Sequence, residues 1–272
     1  MRVENPIGIF DSGLGGLTVL REVVRLLPHE NIVYFGDTAR VPYGSRPETT
    51  INKYAAQDAA FLMTKNIKAM VVACGTVSSV SGKALQSSVG IPFFDVVSAG
   101  AAEAVNFADK GEIAVLGTLA TIRSHSHRSL ITAAKPNAQI VEQACPLFVP
   151  LVENGHTDPD DPIANEAANF YLKKIAERRP AAAILACTHY PLLRQTIQNH
   201  LPGIILIDPA VEAAKRIAAF LAGEHLNNQN GGALEFYVSD RPEAFELFAK
   251  DTLNDLPHMG NHSCTLVDID QY

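Results

Sequence analysis

Two apolar runs of this chain end in a cysteine with a threonine close behind, and helix-like sequence follows each. Ala69-Met70-Val71-Val72-Ala73 leads into Cys74-Gly75-Thr76, and Ala182-Ala183-Ile184-Leu185-Ala186 leads into Cys187-Thr188-His189. Each run reads as a buried parallel strand delivering a thiol to its carboxyl end, where open α/β sheets place their chemistry. At such a junction the free N–H groups and the dipole of the following helix favour an anion. That setting is expected to lower both thiols from the free value of about 8.5 and make thiolate available near neutrality. A lone buried cysteine is most often a small hydrophobe. Two in equivalent places point instead to a symmetric reaction, with two acid/base groups facing one carbon.

Other chemistries fit less well. Cys187-Thr188-His189 brings a thiol and an imidazole together, but no Cys-x-x-Cys, zinc helix or third ligand at a recognisable spacing accompanies them. A Cys/His nucleophile needs one thiol and leaves the second unexplained. Asp11-Ser12-Gly13-Leu14-Gly15-Gly16 follows a strand and opens a helix, yet lacks the third glycine of a dinucleotide loop and the lysine of a P-loop. It offers a carboxylate, a hydroxyl and exposed N–H donors, which suit the ammonium and carboxylate of an amino acid. The loop Pro42-Tyr43-Gly44-Ser45 can close over a substrate or turn the chain. Thr118 and Thr121 open a helix, where their hydroxyls cap it or hold a distal carboxylate. Glu153 and the group His125, His127 and Arg128 carry no spacing that compels a role. Cys145 and Cys264 read as structural.

The elements that must position these residues alternate. Strands are predicted at Ile7–Phe10, Ile32–Gly36, Ala69–Ala73, Pro92–Val97, Ile113–Gly117, Gln139–Gln143, Ala182–Ala186, Ile204–Ile207 and Leu234–Val238. Helices are predicted at Gly13–Leu27, Arg46–Asn66, Ser98–Ala108, Leu119–Ala134, Ile163–Arg179, Tyr190–His200, Val211–Ala222 and Pro242–Lys250, with a short tail after the last. Near-continuous apolar strands alternating with helices indicate a mostly parallel sheet covered on both faces. A faint duplication runs through this order: strand Ile7–Phe10 with Asp11-Ser12 parallels strand Ile113–Leu116 with Gly117-Thr118, and Cys74 parallels Cys187.

At 272 residues and 47% hydrophobic content the chain has ample core for one large domain or two smaller ones. A formal charge of −7 without a basic block offers no footprint for nucleic acid. No apolar stretch reaches the roughly 20 residues of a membrane span, and no secretory signal opens the chain. Four scattered cysteines do not make a disulfide framework, so a reduced, cytoplasmic protein is expected.

Several segments together resemble glutamate racemases of bacteria, in the aspartate/glutamate racemase family. They are Phe10-Asp11-Ser12-Gly13-Leu14-Gly15-Gly16-Leu17-Thr18, Pro42-Tyr43-Gly44, Ala73-Cys74, Pro146-Leu147-Phe148-Val149-Pro150-Leu151-Val152-Glu153 and Cys187-Thr188-His189-Tyr190-Pro191-Leu192. The resemblance covers essentially the whole chain. It implies two similar doubly wound, Rossmann-like α/β domains, residues 1–97 completed by 208–272 and residues 98–207, with the site in the cleft between them. It implies cofactor-independent interconversion of L- and D-glutamate for peptidoglycan synthesis, no metal, and a homodimer. Cys74 and Cys187 match the family's acid/base pair, and Asp11, Glu153 and His189 match positions that assist the thiols. Binding positions fall on Asp11, Ser12, Pro42, Tyr43, Gly44, Gly75, Thr76, Thr118, Thr121, Thr188 and His189. The family usually carries asparagine where this chain has Gly75, and the lost donor is expected to weaken substrate binding by about ten- to a hundredfold. Two rival functions are an aspartate racemase or related isomerase of the same superfamily, and a non-catalytic homologue that binds DNA gyrase.

Overall fold

The computed structural model describes residues 2–256 and 264–272. Its first sheet contains β1 (Ile7–Asp11), β2 (Ile32–Gly36), β3 (Ala69–Val72), β4 (Phe93–Asp95), β9 (Leu234–Val238) and β10 (Cys264–Leu266) in the order β10-β9-β2-β1-β3-β4. The second contains β5 (Ile113–Gly117), β6 (Ile140–Ala144), β7 (Ala182–Leu185) and β8 (Ile205–Ile207) in the order β6-β5-β7-β8. Every pairing in both sheets is parallel. The order β2-β1-β3-β4 is thus repeated as β6-β5-β7-β8. The duplication faint in sequence is plain in topology, because apolar strand positions accept many substitutions while the order of pairing is retained.

Helices cover both faces of each sheet, as continuous apolar strands require. On the first sheet, α1 (Leu17–Leu26), α10 (Pro209–Gly223) and α11 (Pro242–Thr252) pack on one face, while α2 (Glu48–Met63) and α3 (Gly75–Ser88) pack on the other. On the second, α7 (Phe148–Glu153), α8 (Pro162–Arg178) and α9 (Arg194–His200) face α4 (Val96–Val105) and α6 (Ser126–Ala134) across the strands. The fourth strand of each sheet hands over to its helix through an aspartate cap. Asp95 accepts from the Ser98 N–H at 2.8 Å, and Asp208 from the Ala210 N–H at 3.0 Å. The two helices so started, α4 and α10, pack on each other and join the halves.

The strand predicted at Pro92–Val97 ends at Asp95, where Val96 opens α4, and the helix predicted at Tyr190–His200 starts as a 3-10 turn over Tyr190–Leu193. Three further elements differ from expectation. The helix predicted at Leu119–Ala134 breaks into α5 (Leu119–Ser124) and α6 at His125, which is left-handed with φ 52° and binds Glu142 through Nδ1 at 2.9 Å. The helix predicted from Gly13 begins only at Leu17, because residues 12–16 form turns. Part of the tail pairs as β10 beside β9, a strand too short and isolated in sequence to show periodicity. Among the described residues no helix is long and apolar enough to cross a membrane.

Candidate active site

In each sheet the chain runs from the first strand out to one side and returns to the other. The carboxyl ends of β1 and β3, and of β5 and β7, therefore flank a topological switch point, where neighbouring loops diverge and leave a crevice. The residues singled out from sequence stand there. Ser12 follows β1, Cys74 follows β3, Thr118 follows β5 and Cys187 follows β7. The two crevices face each other across one cavity of about 350 Å³. Ser12, Pro42, Tyr43, Gly44, Cys74, Gly75, Thr76, Thr118, Glu153, Cys187, Thr188 and His189 all line it, with Pro146, Val149 and Pro150 supplying an apolar wall.

The thiols sit in unequal surroundings. Cys74 is the N-cap of α3: its Sγ accepts from the Val77 N–H at 3.5 Å and donates to Ser12 Oγ at 3.3 Å. Burial nevertheless dominates, and with the nearby Asp11 carboxylate it pushes this thiol up to about 12. The expected lowering of Cys74 is therefore overturned, because one weak N–H contact and a helix dipole do not offset desolvation of the thiolate. Cys187 Sγ lies 4.0 Å from His189 Nδ1, and His189 Nε2 lies 3.2 Å from Glu153 Oε1, an ion-pair separation without hydrogen-bond alignment. Burial opposes charge on the imidazole, but contact with Cys187 and Glu153 overrides it and raises the His189 pKa to about 10. At neutral pH a cation thus stands beside Cys187, and among the described residues none has a comparable place beside Cys74.

Two of the expected substrate contacts lie behind the cavity wall. Asp11 ends β1 fully buried; its Oδ2 accepts from the Gly13 N–H at 2.9 Å, Oδ1 has no hydrogen-bond partner, and burial raises its pKa. The carboxylate turns under its own loop and acts on Cys74 and His189 electrostatically. Thr121 is likewise buried, its hydroxyl 3.0 Å from that of Thr118, which in turn is 3.0 Å from that of Thr76. Only the Thr76 and Thr118 end of this hydroxyl chain reaches the cavity.

The glycine loop opens room for packing between the halves. A Cβ at Gly15 would lie 2.5 Å from His189 Nδ1 and would also strike Thr188. Thr18, one turn on, donates its hydroxyl to the Thr188 carbonyl at 3.0 Å. The bare backbone of the first half thereby seats the Thr188-His189 turn of the second.

Residues not singled out from sequence hold the Tyr43 loop. Arg40 donates to Asp37 Oδ2 at 2.6 Å and to Asp58 Oδ1 at 2.9 Å, and stacks 4.2 Å from the Tyr54 ring centroid. The Tyr43 hydroxyl lies between both carboxylates, against Asp37 Oδ2 and 3.1 Å from Asp58 Oδ2. Asp37 and Asp58 are wholly buried, and burial with the neighbouring Asp37 charge raises Asp58 well above the usual carboxylate range. The one clue in sequence is Asp58 itself, a carboxylate inside the apolar stretch Ala55-Ala56-Gln57-Asp58-Ala59-Ala60-Phe61-Leu62 of α2. Tyr43→Phe strips this cluster of a buried partner, and a stability loss of about 1–3 kcal/mol is expected in urea unfolding. A midpoint equal to wild type would show the hydroxyl idle.

Two parallel sheets thus meet at paired switch points, and each presents a thiol to one cavity: this is an α/β protein with two cysteines at a shared cleft. Residues 7–217 match the model of the Asp/Glu/Hydantoin racemase family, and the chain belongs to that family. It is 42% identical over 242 residues to a glutamate racemase of Geobacter metallireducens, covering 88% of this chain and 89% of that protein. With one of Chlorobaculum tepidum it shares 42% over 259 residues, 93% of this chain and 94% of that one. Among solved structures it superposes on a Francisella tularensis glutamate racemase in complex with D-glutamate with a TM-score of 0.91, at 34% identity over 99% of this chain and 100% of that one. The Thermus thermophilus glutamate racemase in complex with β-chloro-D-alanine gives 0.87 at 38% identity, over 100% of both chains.

Proposed function

We propose that the protein is a glutamate racemase that moves the α-proton between two thiols and so feeds D-glutamate into peptidoglycan. The observation that carries this reading is the arrival of Cys74 and Cys187, from equivalent strands of two sheets, in one cavity. Inversion at carbon needs one group to remove a proton from one face and another to deliver a proton to the opposite face. For L-glutamate, Cys187 as thiolate takes the α-proton and Cys74 as thiol returns its own, so the product leaves Cys187 protonated and Cys74 ionised. D-glutamate runs the same steps with the roles exchanged. The raised pKa of Cys74 keeps it a proton donor in the free protein, and the His189 cation beside Cys187 suits the base.

The α-proton is weakly acidic, so the negative charge that develops on the substrate carboxylate must be met by fixed donors in a site that excludes water. The donors assigned to this are the Gly75 and Thr76 N–H groups at the start of α3 and the Ser12 hydroxyl, all on residues that line the cavity. The Thr76 and Thr118 hydroxyls suit the distal carboxylate, whose chain length separates glutamate from aspartate. Residues 1–97 with 208–272 and residues 98–207 then act as two domains, each contributing one thiol, in a cytoplasmic homodimer that uses no cofactor.

The test is proton NMR of the purified protein in deuterated water with L-glutamate and, separately, L-aspartate. Loss of the α-proton signal with decay of optical rotation for glutamate alone is expected, with no cofactor added. Exchange confined to aspartate would move the specificity to that substrate.

A further inference from the structure

The two thiol-bearing turns touch at one residue that has no side chain. A Cβ built on Gly75 would lie 2.5 Å from the Ala186 carbonyl oxygen, 3.3 Å from its carbon and 3.5 Å from Cys187 Cα. All three are main-chain atoms, so no side-chain rotation can relieve the overlap. Both strand ends are tied into their sheets. The Ala186 N–H is held by the Leu116 carbonyl at 2.8 Å in the second sheet, and the Ala73 N–H by the Phe10 carbonyl at 2.9 Å in the first. A side chain at residue 75 therefore requires the main chain of one thiol-bearing turn to shift against the other.

We propose that Gly75 is a positioning residue that sets the closest approach of Cys74 and Cys187, its bare Cα serving as the bearing between the two halves of the cleft. The residue before Cys187 supplies the other surface through its carbonyl, so the spacing is decided by backbone on backbone. A proton carried between two thiols on either side of one carbon tolerates little change in that spacing, since a displacement near 1 Å costs about a hundredfold in rate. From sequence Gly75 marks a missing donor, and the clearance gives the same residue a second consequence. In this backbone, asparagine at residue 75 adds an amide only by opening the site.

The kinetic arm of the test rests on the racemase reading, and a second arm does not. Gly75→Ala and Gly75→Asn are compared with wild type and with Gly82→Ala, which lies in the same helix and whose added Cβ meets nothing within 4 Å. Expected is a fall in kcat of at least about tenfold for both Gly75 variants, with KM moved less than about threefold in Gly75→Ala. Gly82→Ala should match wild type. In parallel, cross-linking of Cys74 to Cys187 by dibromobimane, read from the joined peptides, should slow in both Gly75 variants and not in Gly82→Ala. Rates and cross-linking within twofold of wild type in Gly75→Ala would overturn the proposal, as would a gain of activity in Gly75→Asn. If wild type exchanges neither glutamate nor aspartate, the racemase reading fails while the cross-linking still decides the spacing. Should Gly75→Asn not fold, the single methyl of Gly75→Ala decides alone.

Discussion

Cys187→Ser is expected to lower α-proton exchange from L-glutamate by about 10²–10⁴-fold, and Cys74→Ser to do the same for D-glutamate. A hydroxyl has nearly the shape of a thiol but ionises far less readily, so the substitution removes the base and leaves the cavity filled. The cysteines serve opposite faces of one carbon, and each variant should therefore retain more of the half-reaction whose base is intact. Single-turnover exchange of each enantiomer in deuterated water separates the two cases. Substrate affinity, measured by calorimetry, should change by less than about tenfold, because the donors assigned to the carboxylates lie elsewhere in the cavity. Full turnover in Cys74→Ser would sink the two-thiol mechanism.

His189→Asn is the second large effect. The imidazolium is the cation beside both Cys187 and Glu153, and the asparagine amide cannot carry that charge. Exchange initiated by Cys187 is expected to fall by about a hundredfold, with a smaller effect on exchange initiated by Cys74. Stability gives an independent readout. The folded pKa of His189, about 10, lies above its unfolded value of 6.5. The protonated form is therefore favoured by folding: its contribution is complete below pH 6.5 and disappears as pH rises through 10. Linkage sets the difference at roughly a few kcal/mol across that window. Urea midpoints of wild type should decline between pH 7 and 10, and those of His189→Asn should stay flatter. Parallel pH profiles for the two proteins would show that His189 is not the charged group.

Much of the site was legible because its parts are local. Cys74 and Cys187 were found from the apolar run before each and the helix after it, and both features belong to a few consecutive residues. The parallel strands covered on both faces followed from the same alternation, and the aspartate caps at Asp95 and Asp208 keep the strand-to-helix junctions in place. Two kinds of feature escaped. One was conformation decided by distant partners: the Leu119–Ala134 segment has unbroken helical periodicity, yet His125 turns left-handed where its ring meets Glu142 on β6. The other was environment. Asp11 reads as a carboxylate at a loop mouth, and only the fold turns it beneath the loop.

The sequence by itself determined that this chain forms parallel strands ending in two thiols, that its halves are alike, and that its motifs are those of amino-acid racemases. Tertiary structure decided that the two thiols share one cavity, that burial holds Cys74 high while His189 stays charged, and that the two thiol-bearing turns meet main chain to main chain at Gly75. The division has a physical cause. Backbone propensity and hydrophobic period are set by neighbours along the chain, whereas desolvation, charge pairing and clearance are sums over atoms that only folding brings together.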